Sequence, residues 1–200
     1  MIDKIENNRQ LMNEVLDKTL HRFKNNLQTQ LSLMNIQSAT NRNYFDDRKV
    51  IVDRMFALTH VYDLFYNTRY EDNQVEESKV SIQTFMLQFI QYLKSTSTKI
   101  EFELTDISET KVDVDQLLLL SYIVVEINDF RKSLDDDMLL YIYRKDNIVG
   151  LKFKFSSLHS HMEFSEIFKD QYKIFDLMVM QLKGKFDYKK KFVRLSFPIL

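Results

Sequence analysis

His21 is the residue whose type and setting most directly suggest chemistry. In the run Leu20-His21-Arg22-Phe23-Lys24-Asn25-Asn26-Leu27-Gln28 the apolar residues recur at steps of three and four, the period of an amphipathic α-helix. Leu20, Phe23, Leu27 and Leu31 are expected to form an inward stripe, with His21 at its flank. Asp17, Lys18, Lys24, Asn25 and Gln28 stand three, four or seven residues away, so the imidazole is expected in a polar frame facing solvent. A neutral imidazole on a rigid helix is a nucleophile whose Nε2 suits in-line acceptance of a phosphoryl group. Lys18, Arg22 and Lys24 would balance the charge of that group. The plainer reading is an ordinary surface histidine, with Asn25 an ordinary polar group one turn on.

The elements that must position His21 follow from periodicity. Ile5, Val15, Leu16, Leu20, Phe23, Leu27, Leu31 and Met34 mark a long first helix, residues 41–47 a polar turn, and residues 48–67 a second helix. The apolar side of that second helix is expected at Val50, Ile51, Met55, Leu58, Val61, Tyr62 and Phe65. Such a pair makes an antiparallel hairpin, residues 1–70, which cannot bury its stripe alone. A second copy completing a four-helix bundle would cover it, and so would the rest of the chain folding back over it. Residues 71–78 read as a linker. A second domain, residues 79–200, is α/β in pattern: a helix over 84–93, a strand over 99–104, and a strongly apolar helix over 115–134 capped by Asp113 or Asp115. A hairpin follows around Asp146-Asn147, then a helix over 171–182 stopping near Gly184, then a strand pair around Lys189-Lys190-Lys191. The expected fold class is α+β, an N-terminal helical hairpin followed by an α/β sandwich with helices on one face of a mixed sheet.

Composition narrows the chemistry. With 2 glycines, Gly150 and Gly184, the 200-residue chain lacks every common glycine-based nucleotide cradle. It has no cysteine, hence no disulfide framework and no thiolate chemistry. A net charge of −1 gives no pull toward nucleic acid, and no apolar run is long enough for a membrane span or a signal peptide, so a cytoplasmic protein is expected. His159 and His161 are spaced for a metal, but no further Cys or His stands near, and no metal site is expected. His60 falls beside the apolar face of the second helix and reads as a packed residue rather than a second carrier.

The run H-R-F-K-N-N-L-Q resembles the phosphoacceptor box of the HisKA_2/HWE-type sensor histidine kinases, roughly H-R-x-K-N-N-L-Q. Arg54-Met55-Phe56-Ala57-Leu58-Thr59-His60 and then Leu64-Phe65-Tyr66 look like that family's second-helix pattern. Phe175 to Gly184 and Phe192 to Pro198 look, more loosely, like the last helix and strand of a kinase ATP-binding domain of the GHKL type. The resemblance implies that His21 is the phosphoacceptor, framed by Lys18, Arg22, Lys24, Asn25 and Gln28.

The departures are equally specific. Such kinases hold Mg-ATP with a box of the form N-E-L-x-x-N-A, against which stand Val125-Glu126-Ile127-Asn128-Asp129-Phe130-Arg131. Glu126 reads as a remnant of that box or as a boundary residue facing solvent or a partner helix, and Phe130 takes the place of the metal-binding Asn. The D-x-G-x-G box has no counterpart after Gly150, and residues 166–173 replace the glycine-rich box before the last helix. Lys18 stands where the family has an acid. The expectation is therefore a degenerate kinase-like protein that binds no cofactor. It would exchange a phosphoryl group between His21 and the aspartate of a response-regulator receiver, which brings its own Mg²⁺. Homodimerisation, receiver domains and an upstream hybrid histidine kinase are the partners this implies. A divergent ATP-dependent kinase, and a pseudokinase regulator that carries no phosphate, are the alternatives.

Overall fold

A computed structural model describes residues 20–32, 35, 44–72, 79–96, 99–156, 172–189 and 192–199. The chain is organised around one apolar helix, Val114–Ser133, here α4. Its start is fixed by Asp113, whose carboxylate accepts a 2.9 Å hydrogen bond from the Asp115 amide, with Asp115 in the first turn and Arg131 and Lys132 in the last. Both ends thus complement the helix dipole. Almost every residue from Leu117 to Arg131 is buried, because α4 is covered on one side by a sheet and on another by helices.

The other elements in chain order are α1 (20–32), α2 (Tyr44–Asp72), β1 (Lys79–Ser81), α3 (Ile82–Thr96), β2 (Ile100–Thr105), β3 (Lys111–Asp113), β4 (Met138–Lys145), β5 (Ile148–Phe155), α5 (Tyr172–Gln181), β6 (Lys185–Lys189) and β7 (Phe192–Pro198). The main sheet has five strands in the order β2-β4-β5-β7-β6. It is mixed: β2 runs parallel to β4, and the remaining pairs are antiparallel. Register places Phe102, Leu140, Phe153 and Val193 in one row and Leu104, Ile142, Leu151 and Leu195 in the next, all on the face toward the helices. The opposite face carries rows such as Glu103, Tyr141, Lys152 and Arg194, so the period-two alternation legible in the sequence is the sheet's inside and outside.

Several boundaries differ from the sequence reading. The second helix begins at Tyr44, inside the expected turn, and ends at Asp72, inside the expected linker. The short antiparallel pair β1–β3 was not foreseen; three residues are too few to show a period. At the end of α5 the left-handed residue is Lys183 (φ 54°), not Gly184. Gly184 is needed for space instead, since a Cβ there would lie 2.8 Å from the Ser196 carbonyl oxygen.

The buried residues form one cluster, running from Val50, Leu58, Val61 and Phe65 of α2 through α3 and α4 to the sheet. The buried side of α2 is thus covered inside the chain, by α3 and α4, the fold-back arrangement set out above. That side includes Asp53 and Arg54, both buried, while Met55 is 37% exposed. On α1, Phe23 and Leu27 pack against the core, but Leu20 and Leu31 are exposed. They face outward because α1 presents the ridge Arg22, Phe23 and Asn26 to its neighbours. Among the described residues no helix is long and apolar enough to cross a membrane.

Candidate functional site

The helical period divides the motif around His21 into two faces. His21, Lys24, Asn25 and Gln28 are exposed together on the outer face of α1. The Asn25 side-chain nitrogen lies 3.2 Å from His21 Nδ1, one helical turn away. An amide's nitrogen and oxygen are interchangeable in this contact. With the nitrogen toward the ring, Nδ1 accepts and Nε2 carries the proton. With the amide turned over, Oδ1 accepts from Nδ1–H and the lone pair is left on Nε2, which is the nucleophilic form.

The inner face holds α1 in place. Asn26 Nδ2 donates to the Tyr62 hydroxyl of α2 at 3.0 Å and to Asp115 Oδ1 of α4 at 3.2 Å. The Phe23 ring stands edge-on to Tyr62 at 5.3 Å. Burial pushes the Tyr62 phenol up to about 12, against the opposing effect of the Asn26 hydrogen bond, so it is a neutral acceptor at physiological pH. Arg22 also turns inward, its guanidinium 3.7 Å from Asp113 Oδ2. The structure therefore brings three of the five expected frame residues, Lys24, Asn25 and Gln28, together around His21 and directs Arg22 elsewhere; Lys18 lies outside the described residues. Asn26, Tyr62, Asp113 and Asp115 were not singled out as site residues, although Asn26 stands in the motif and the two aspartates were marked as helix caps.

The positions on α4 that the resemblance assigns to nucleotide are occupied by the protein itself. Glu126 forms an ion pair with Arg54 of α2, and both side chains are excluded from solvent. Phe130 is buried, edge-on to Phe155 at 6.0 Å. Asn128 Oδ1 accepts from Arg131 Nε at 3.0 Å, and Arg131 reaches on to the Asp136 carbonyl at 2.9 Å. A second cluster joins α2, α3 and α4: Asp53, 2% exposed, accepts from the Tyr92 hydroxyl of α3 at 2.8 Å and from Lys49 at 2.6 Å, with Lys132 of α4 at 3.9 Å. His60 lies between the rings of Phe56 and Phe85, each 5.6 Å away, and burial lowers its pKa. Among the described residues no group of three or more His, Cys, Asp or Glu is arranged to hold a metal ion; His159 and His161 lie outside them.

No protein-family model matches the chain. No curated protein matches it in sequence. Solved structures do resemble it. The histidine kinase domain of the blue-light activated histidine kinase EL346 from Erythrobacter litoralis superposes with a TM-score of 0.59 at 10% identity, over 92% of this chain and 95% of that one. The longer Erythrobacter litoralis EL346 kinase gives a TM-score of 0.61 at 13% identity, over 96% of this chain and 59% of that one. At such identities the likeness is one of fold. Helices and mixed sheet together, this chain has a histidine-kinase-like α+β core.

Proposed function

We propose that the chain is a histidine-containing phosphotransfer protein of a two-component phosphorelay, carrying a phosphoryl group on His21 and drawing none from ATP. The observation that supports this reading is a contrast between two sites. His21 is open to solvent with Asn25 at its Nδ1, whereas Glu126 and Phe130 are engaged with Arg54 and Phe155 inside the core. A nucleotide or its metal would have to displace a buried ion pair to reach Glu126.

In the proposed reaction the donor is the acyl phosphate on a receiver's aspartate. The Nε2 lone pair attacks phosphorus in line, the N–P bond forms, and the acyl O–P bond breaks with its electron pair remaining on the carboxylate. The Nδ1 proton stays on the ring, facing the Asn25 carboxamide, until solvent removes it. Mg²⁺ held in the receiver's own site would neutralise charge on the phosphoryl oxygens. Lys24 supplies a nearby positive charge from this chain, and Lys18 is proposed to supply another. The reverse reaction returns the group to a receiver.

Leu20 and Leu31 of α1, and Val52, Met55 and Tyr66 of α2, are exposed. The three on α2 fall within one stripe, since Val52 is about one turn before Met55, and Tyr66, eleven residues after Met55, lies just over three turns on. A second copy covering these residues is the dimer we propose, with the receiver docking beside His21.

The kinase-like fold favours a second reading, a divergent ATP-dependent histidine kinase. Calorimetric titration with Mg-ATP separates the two. No measurable binding is expected, and clear micromolar binding would overturn the first reading. Mapping of the labelled residue by mass spectrometry after incubation with a phosphorylated receiver is expected to return His21; a receiver that binds without ever transferring label would leave a non-catalytic regulator.

A further inference from the structure

Arg22 follows His21 in the chain, yet its guanidinium is held by Asp113 at the start of α4. We propose that Asp113 is the resting-state holder of Arg22, and that phosphorylation of His21 draws Arg22 from Asp113 to the phosphoryl group. The inference rests on the reading of His21 as the phosphoryl carrier.

Three features of the contact make the exchange easy. The first is its geometry: at 3.7 Å it is longer than a well-formed charge-assisted hydrogen bond, and the side chains are 38% and 23% exposed. A pair of this kind contributes little to stability and is readily exchanged for another partner. The second is that Asp113 uses its two oxygens for different tasks. Oδ1 caps α4 through the Asp115 amide at 2.9 Å, and Oδ2 is the oxygen 3.7 Å from Arg22. When Arg22 leaves, the carboxylate keeps its cap and its favourable place at the positive end of the helix dipole, so no buried charge is abandoned. The third is that Arg22 is not what anchors α1. Asn26, bonded to Tyr62 and Asp115, and Phe23, packed on Tyr62, keep the helix in place while the guanidinium swings.

The attraction on the other side is strong. A phosphoryl group places a charge approaching −2 and three acceptor oxygens beside a long, flexible arginine side chain. Lys24 is exposed on the same face and adds a second charge without needing release. Arg22 is thus a reserve cation: it is parked on Asp113 while the imidazole is bare, and it is recruited once the negative charge arrives. Asp113 is a positioning residue in this scheme, since it acts on the phosphoryl group only through Arg22.

The test uses the whole chain and a partner-independent donor, phosphoramidate. His21 attacks its phosphorus, the P–N bond to the donor breaks, and ammonia leaves with a proton from solvent. The half-life of phospho-His21 is then measured by phosphorus NMR, with His21→Ala as the control for label on other histidines. Asp113→Asn keeps the cap, because Asn serves that position as well as Asp, but removes the charge that holds Arg22. It is expected to lengthen the half-life roughly three- to tenfold, as one charge-assisted contact is freed. Arg22→Ala is expected to shorten it by a similar factor, and adding Asp113→Asn to Arg22→Ala should then change little. An Asp113→Asn half-life within twofold of wild type, or an equal effect of Asp113→Asn with and without Arg22, overturns the proposal. A thermal melt of each variant identifies any loss of the α4 cap, and Asp113→Ser, a neutral cap, must reproduce the Asn result. Failure of any receiver to transfer label to His21 would instead sink the function proposed above, and phosphoramidate labelling makes that outcome separately visible.

Discussion

Removing one partner of the Arg54–Glu126 pair should be among the most damaging single changes available in this chain. Both side chains are fully out of solvent, Arg54 at 0% and Glu126 at 1% exposure, and they join α2 to α4. Arg54→Met removes the guanidinium with which the buried Glu126 carboxylate pairs. Breaking a buried pair in this way costs about 3–5 kcal/mol. For a domain of this size each kcal/mol lowers the melting midpoint by about 2–4 °C, so a fall of roughly 6–20 °C is expected. Replacing both partners with apolar residues of similar volume, Arg54→Met with Glu126→Leu, removes the uncompensated charge and should restore most of that loss. Differential scanning calorimetry at pH 7 on the two single variants and the double variant measures all three. A single substitution costing less than about 1 kcal/mol, the range of an exposed pair, or a double variant as damaged as the worse single one, would refute the reasoning. The same variants bear on function, because a Glu126 that is a structural partner of Arg54 is not free to hold a metal.

Other expectations follow from the same packing. His60 has its pKa lowered by burial between Phe56 and Phe85, with the Gln88 hydrogen bond and the Asp63 charge acting in the other direction. The unfolded chain therefore binds the His60 proton more readily, and stability present above about pH 6.5 should be lost as the pH falls below that value. His60→Phe should flatten this part of the profile, read as the difference between thermal midpoints at pH 7.5 and 5.5. At Gly150 an added Cβ would lie 2.2 Å from Cζ of Tyr143, whose ring crosses the outer face of the sheet. Gly150→Ala should cost about 1–3 kcal/mol in denaturant unfolding, and little once Tyr143→Ala has cleared the space. Lys183, with φ at 54°, should give way to glycine with a gain of about 1 kcal/mol in the same assay.

The sheet and the helices were legible where periodicity had length to act. The β4–β5 hairpin around Asp146-Asn147 and the strand β7 alternate over seven or eight residues, and their buried rows are those the pattern implies. Asp113 as the cap of α4 was legible because a short acceptor side chain stands directly before an apolar run. The exposed face of α1 was equally readable, since His21, Lys24, Asn25 and Gln28 share one side of any regular helix. What a single helix cannot reveal is its rotation against its neighbours. Leu20 and Leu31 were expected inward, yet Arg22 and Asn26 face α4, because Asp113 and Asp115 offer charge and hydrogen-bond acceptors that periodicity does not register. Asp53 and Arg54 escaped notice as interior residues for a related reason. Their partners Tyr92, Lys132 and Glu126 are tens of residues away along the chain.

The account turns on whether His21 exchanges a phosphoryl group with a receiver. The direct measurement is incubation of the protein with a purified receiver domain carrying radiolabelled phosphate on its aspartate, without nucleotide, followed by separation of the two chains. Label should pass to the wild-type protein within minutes and should not pass to His21→Ala, while Asn25→Ala should slow the transfer. Label that never leaves the receiver for the wild-type chain, or that reaches His21→Ala equally well, would contradict the account.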